Sequence, residues 1–287
     1  MKTIAIAGAT GFIGTHMQSF FKEHGYTVLA LSRNHTQQSI SELTQRLEGV
    51  DVLINLAGAP IIRRWNESYK KVLYDSRIHT TQKLVAAMSR LQTKPQLFFS
   101  TSAIGIYATK ESMSETHYLY ANNFLSNVCK AWEAEAQKAD TFTRVVIFRL
   151  GVVLDKHGGA LAKMLPPFQL GIAGTIGDGS DSFSWIHIDD LLNAYVFAIH
   201  NKRVQGTYNL TSPYPVTNKI LTKTLGKILH RPTLIPLPKC ILTLLFSEGA
   251  TVLTEGQCVI PERLLEEGFS FKYQNIDAAL RQIILPK

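Results

Sequence analysis

Eight residues near the amino end, AGATGFIG from 7 to 14, place three glycines between an apolar run and an amphipathic one. The spacing suits one chemistry. The first glycine permits a tight turn, the second lets backbone approach a diphosphate closely, and the third lets the following helix pack against the preceding strand. A helix that opens there turns unpaired N–H groups toward the phosphates. Gly8, Thr10, Gly11, Phe12, Ile13 and Gly14 are therefore expected to cradle a dinucleotide.

The second apolar run ends ALSRN, at Ala30 to Asn34. A site for unphosphorylated NAD normally offers a carboxylate here to the adenine ribose hydroxyls, but residues 24 to 41 contain no Asp or Glu. Arg33, with Ser32 beside it, offers paired N–H groups to a 2′-phosphate instead. NADP(H) is the expected cofactor. Two more run ends converge on the same edge. INLAG closes with Leu56, Ala57 and Gly58, small enough at its tip for a nicotinamide ribose or an adenosine to pass, and STSA brings the hydroxyls of Ser100 and Ser102.

These residues need a scaffold that gathers strand ends. The runs at 3–7, 26–31, 51–56, 96–100 and 144–150 are continuously apolar rather than alternating, as strands buried on both faces are. Helical patterns lie between them, at 12–24, 67–91 and 123–138. The alternation predicts an α/β fold, a Rossmann-like doubly wound parallel sheet. Beyond Lys163, Pro166-Pro167 and Gly171, Gly174, Gly177 and Gly179 read as a loop-rich stretch. Residues 187–200 read as a helix, with Asp189 suited to cap it and His187 anchoring the turn. One more strand is expected at 206–212. Residues 1–163, rejoined by 186–217, are read as the NADP-binding domain, and 164–185 with 218–287 as a small, mostly helical C-terminal lobe on the substrate side.

Composition narrows the partners. With 287 residues, 45% of them apolar and 18% charged, the chain has the make-up of an ordinary globular protein. Its net charge of +8 comes from 30 scattered basic residues, rarely more than two in a row, which argues against a nucleic-acid stripe. The opening MKTIAIAGA is too short a run for a secretory signal, and stretches such as LLF near Leu244 fall far short of the roughly 18 residues that a membrane helix needs. Cys129, Cys240 and Cys258, with no CxxC and no histidine at ligand spacing, fit a reducing cytoplasm and no metal site. A small molecule is the expected partner, and no oligomeric state is legible.

AGATGFIG, INLAG, STSA and WIHIDD (185–190) together resemble the extended short-chain dehydrogenase/reductase family, of the NAD-dependent epimerase/dehydratase type. RLGVVLDKHGGALAKMLPPF, NLTSPYPV and EGATVLTEGQCVIPERLLEEGF resemble its atypical, YfcH-like bacterial branch, and the likeness covers essentially the whole chain. The resemblance implies a Ser/Thr, Tyr and Lys set, with the last two spaced YxxxK and the lysine lowering the phenol's pKa. Ser102 matches the serine. None of the ten tyrosines has a lysine four residues on. Aligning Glu133 with the glutamate that often follows the family motif puts Leu125 at the tyrosine position and Cys129 at the lysine position; with Trp132 and Ala136 they form one apolar helix face, read here as packing. The atypical branch likewise lacks the full set.

The substrate end also departs from the family. GIAGTIGDGSDSFSWIHIDD resembles the segment that usually carries an arginine for a nucleotide diphosphate, yet 164–201 contains no Lys or Arg, and Asp178, Asp181, Asp189 and Asp190 are present. A neutral or cationic small molecule fits better than a sugar nucleotide, unless Arg231 or Arg263 reaches in. Two functions remain open. One is an NADP(H)-dependent oxidoreductase or epimerase-like enzyme, with Ser102 polarising a carbonyl and Tyr107 or a water supplying the proton. The other is a catalytically weak NADPH-binding regulatory or sensor protein.

Overall fold

Strands that are apolar on both sides must be covered on both sides, and the chain supplies the cover. In the computed structural model, which describes residues 2–109 and 111–285, the strands are β1 (Thr3–Ala7), β2 (Thr27–Leu31), β3 (Val52–Asn55), β4 (Leu97–Ala103), β5 (Ser112–Met113), β6 (Arg144–Leu150), β7 (Val152–Asp155), β8 (Ser182–Phe183), β9 (Trp185–His187), β10 (Gly206–Leu210), β11 (Val216–Thr217) and β12 (Cys258–Val259). The helices are α1 (Phe12–Glu23), α2 (Arg33–Gln37), α3 (Ile40–Leu47), α4 (Glu67–Arg90), α5 (Phe124–Gln137), α6 (Gly159–Gln169), α7 (Ile188–His200), α8 (Asn218–Leu229), α9 (Lys239–Phe246), α10 (Thr251–Thr254), α11 (Glu262–Glu266) and α12 (Ile276–Ile284).

Six strands form one parallel sheet in the order β10-β6-β4-β3-β1-β2. Alternate residues serve opposite faces. Ile4, Ile6, Phe99 and Phe148 pack with Met17, Phe21 and Leu191 under α1 and α7, while Ala5, Ala7, Phe98 and Ile147 pack with Leu47, Leu84 and Met88 under α3 and α4. Strand order reverses at β1, between β2 and β3. Such a switch point opens a crevice above the carboxyl ends, where ligands of this architecture lie.

The remaining strands form two-stranded pairs outside the sheet, and β7 with β9 leads into a second core of Leu154, Leu161, Leu165, Trp185, Leu221, Leu225, Ile276 and Leu280. The lobe's core thus draws on residues upstream of 164. Two local expectations need correction. Pro166 and Pro167 lie inside α6, not in a loop. Their fixed φ suits a helix, and buried Leu165 and Phe168 hold the segment down despite the missing N–H groups. The glycines after it do turn the chain, with positive φ at Gly171, Gly177 and Gly179. The cap of α7 is His187 rather than Asp189: its Nδ1 accepts from Asp189 N at 3.0 Å, and its Nε2 meets Gln282 Oε1 at 2.7 Å. Asp190, one residue further, is buried and accepts from the N–H groups of Lys272 and Tyr273, both at 2.8 Å, which ties the C-terminal segment to the sheet domain.

Candidate functional site

The glycine turn is built as its spacing suggests. Gly8 has φ +82° and donates its N–H to Leu31 O at 3.1 Å, which joins the ends of β1 and β2. A Cβ on Gly8 would stand 2.9 Å from the Leu56 carbonyl carbon, and one on Gly14 would stand 2.4 Å from Gly8 O. Both positions press backbone against backbone. Gly11 differs, because its Cβ would meet only Gly8 O, at 3.2 Å, and otherwise face open space. It is exposed, as is Thr10, and it is the N-cap of α1 with no side-chain cap and no acid in the first turn. The first N–H groups of that helix remain available to an anion.

Phe12 and Ile13 are half-buried and Gly14 is buried. Phe12 packs against the residue that caps α6, where a Cβ on Gly158 would lie 2.1 Å from its ring. At the end of β2, Ser32 is half-buried and exchanges contacts with His35 Nδ1, while Arg33 is exposed, and no described carboxylate pairs with it. At the end of β3, Leu56 N–H donates to Ala7 O at 2.9 Å and Ala57 N–H to Asn55 Oδ1 at 3.1 Å. Gly58 is exposed, but the space its missing Cβ leaves is taken by Arg77, whose Cζ would be 3.0 Å away. Ser100 is 1% exposed, and its Oγ is buried without a hydrogen-bond partner. Shape, free donors and an orphaned hydroxyl all fit a dinucleotide lying along this edge.

The candidate chemical groups are placed otherwise. Ser102, Arg149 and Asn209 face one another in register across β4, β6 and β10. Ser102 donates to Glu133 Oε1 at 2.6 Å, and Arg149 pairs with the same carboxylate through Nε at 2.8 Å and Nη2 at 2.7 Å. Arg149 Nη1 donates to the Tyr107 hydroxyl at 2.6 Å, and that hydroxyl donates to Asn209 Oδ1 at 2.8 Å. Asn209 continues to Ile260 O and Glu115. Ser102 is 1% and Tyr107 0% exposed. Burial pushes the Tyr107 phenol up to about 12, against the opposing charge of Arg149, which Glu133 already neutralises. In this conformation Ser102 and Tyr107 belong to a closed internal network, a correction to their reading as groups facing substrate.

Leu125 and Cys129 fill the places that the resemblance gives to Tyr and Lys. Leu125 lies against Gly105, and Cys129 packs with Ile104, Ile106 and Tyr107. Burial first, and the charge of Glu133 second, push the Cys129 thiol up to about 11. The packing reading holds for this helix face. Arg231 and Arg263 do not reach into the crevice as clamps: Arg231 Nε holds Gln169 O, and Arg263 holds Thr207 O and Gln205 O. The α9 segment and the turn after it meet the loop after β3 and the start of α4, with Arg64 on Leu244 O, Trp65 N–H on Phe246 O, and Lys70 paired with Glu248.

Arg149 and Asn209 are the functional-region residues that the motif reading passed over, and Glu133, used there only to align the helix, is the carboxylate that joins them to Ser102. A signal existed. Arg149 and Asn209 interrupt the apolar runs RVVIFRL and GTYNL near their carboxyl ends, where a buried polar residue needs partners. Among the described residues no cluster of His, Cys, Asp and Glu could hold a metal ion, and no helix is long and apolar enough to cross a membrane.

Sheet order, glycine turn and crevice together define a dinucleotide-binding protein of the short-chain dehydrogenase/reductase class. A model of the NAD dependent epimerase/dehydratase family matches residues 4–211, and one for a domain of unknown function (DUF1731) matches residues 237–283. The chain belongs to the NAD dependent epimerase/dehydratase family. It is 38% identical over 300 residues to the epimerase family protein SDR39U1 homolog, chloroplastic, of Arabidopsis thaliana, covering 98% of this chain and 86% of the relative. It is 33% identical to the epimerase family protein YfhF of Bacillus subtilis, covering 98% and 97%. The crystal structure of human epimerase family protein SDR39U1 (isoform 2) with NADPH is similar at a TM-score of 0.91 and 34% identity, with 98% of each chain covered. The UDP-glucuronic acid 4-epimerase of Bacillus cereus, at 18% identity and TM-score 0.79 over 98% of this chain and 97% of that one, shares the fold.

Proposed function

We propose that this protein binds NADP(H) and acts, as an oxidoreductase or epimerase of atypical type, on a small molecule without a Tyr–Lys pair. When bound, the nicotinamide would supply the hydride chemistry. The chain's own part is to hold the diphosphate on the open N-terminus of α1 and the 2′-phosphate on Arg33. The observation that carries this reading is the exposed Arg33 at the end of β2, which meets no carboxylate among the described residues, beside a glycine turn that leaves the α1 donors without a side-chain cap. The human relative crystallised with NADPH supports it.

The test is calorimetric. NADPH should bind more tightly than NADH, and the preference should shrink at least about tenfold in Arg33→Ala, or about 1.4 kcal/mol. Equal affinities in the unmutated protein would remove the assignment.

A second reading, an NADPH-binding regulatory or sensor protein with weak catalysis, is favoured by one observation: both Ser102 and Tyr107 are held in internal hydrogen bonds. Its mark would be NADPH binding with no cofactor oxidation across a panel of aldehydes and ketones, together with slowed amide exchange over residues 239–254. Turnover on any one of them at enzymic rates would rule it out.

A further inference from the structure

The amino ends of the sheet strands, on the edge away from the crevice, border a cavity of about 600 Å³. Small-molecule sites span about 300–1,000 Å³, so it has room for one. Arg144, the first residue of β6, lines it together with Lys2, just before β1, and with Lys94 and Lys202. These four cations come from widely separated points of the chain, and no basic run announces them. No carboxylate lines the cavity, and among the described residues none lies within ion-pair distance of the four. The acids nearby are engaged elsewhere: Asp51 accepts from Thr3 N–H at 2.7 Å, Asp140 turns to the Val145 N–H, and Glu267 pairs with Arg203 at 3.4 Å. Two of the cations have neutral partners only. Arg144 holds the carbonyls of Ala198, Asn201 and Val204 around the end of α7, and Lys94 holds that of Leu91. A carbonyl offers a dipole and no formal charge, so the positive charge remains uncancelled.

Charges of one sign gathered in a cleft repel one another, and low-dielectric walls focus their field outward onto counter-ions. The walls here are apolar: Val52, Leu97 and Ile199 are buried, and Phe142 is half-buried. A bare inorganic anion would meet the cations and leave those walls wet. A ligand that joins phosphoryl groups to a flat, weakly polar body would use both. We propose that this cavity is a second ligand site, for a nucleoside di- or triphosphate, with its phosphates among Lys2, Lys94, Arg144 and Lys202 and its base on the wall that holds Phe142. The cavity lies on the opposite edge of the sheet from the glycine turn, so the site is independent of the cofactor reading, and both can be filled at once.

The experiment titrates ATP, ADP and pyrophosphate into the full chain saturated with NADPH, by calorimetry. ATP and ADP should bind despite the NADPH, and pyrophosphate should bind at least about tenfold more weakly. Displacement of ATP by NADPH would put it in the cofactor cradle and overturn the proposal, as would no binding. Pyrophosphate as tight as ATP would overturn the assignment to a nucleotide and leave an anion site only. Lys2→Gln combined with Lys202→Gln should weaken ATP by about tenfold or more, keep NADPH within about twofold, and be reversed when both positions carry Arg. Arg144 is left in place because it anchors α7. Equal ATP affinity in the double variant would count against the site. A footprint on the unmutated protein guards against misfolded variants: acetylation of lysines, read by peptide mass spectrometry, should be slowed by ATP at Lys2, Lys94 and Lys202 and not by NADPH. No protection by ATP at these lysines, or equal protection by NADPH, would overturn the proposal. If the protein binds no NADPH, the cofactor reading fails, while the footprint still decides this one.

Discussion

The two sides of the crevice treat their polar groups in opposite ways. Around β1 and β2, donors are left over: α1 has no side-chain cap, a Cβ on Gly11 would meet only Gly8 O, and Arg33 has no carboxylate partner among the described residues. At the ends of β4, β6 and β10, Ser102, Glu133, Arg149, Tyr107 and Asn209 satisfy one another in the interior. The first side is shaped to receive something, and the second is already complete. Family membership alone does not separate them, since both sides carry family-like motifs.

The comparison is most sharply broken at Glu133. If the network is structural, Glu133→Ala leaves the Arg149 charge buried and uncompensated and should cost about 3–5 kcal/mol in a denaturant titration. A loss below about 1 kcal/mol would mean that the network opens to water. The opposite side is probed by Gly11→Val. Its side chain makes one tight approach, to Gly8 O, and otherwise occupies the path of the diphosphate, so NADPH affinity should fall on the order of 100-fold, about 2.7 kcal/mol, with a much smaller change in melting temperature. Retained affinity would place the phosphates elsewhere.

Tyr107→Phe tests the closed side at a single hydroxyl. It leaves Asn209 Oδ1 and Arg149 Nη1 each short of a partner, a cost of about 1–3 kcal/mol, with NADPH affinity unaltered. A 100- to 10,000-fold fall in turnover, roughly the worth of a positioned acid or base, would instead restore Tyr107 as the proton donor. The smallest effect is expected at Cys129. Cys129→Ala should cost about 1 kcal/mol, and site-resolved thiol labelling should be slow with and without NADPH, as befits a buried thiol raised to about 11. Fast labelling blocked by cofactor would put the sulfur in the crevice.

Much of the scaffold was legible because local rules determine it. Continuous apolar runs gave the sheet strands nearly to the residue at β1 and β6, and glycine spacing located the turn. The absence of acids from 24 to 41 and the lack of any YxxxK are facts of the sequence itself. The pattern around Pro166 misled, since proline signals a helix end unless side chains elsewhere bury the segment. INLAG was read as room for a ligand; that Arg77, a residue 19 positions away on another element, also lies against Gly58 was not legible in the sequence.

What the sequence determined was periodicity, turn chemistry and the residue types at each strand end. Only the tertiary structure decided which of those end groups are free and which are already bonded. The physical reason is that a hydroxyl or a guanidinium has the same chemistry wherever it stands, and its availability depends on partners brought by distant strands. Ser102 meets Glu133 from 31 residues away, Tyr107 meets Asn209 from 102, and Arg33, at the end of β2, meets no described partner.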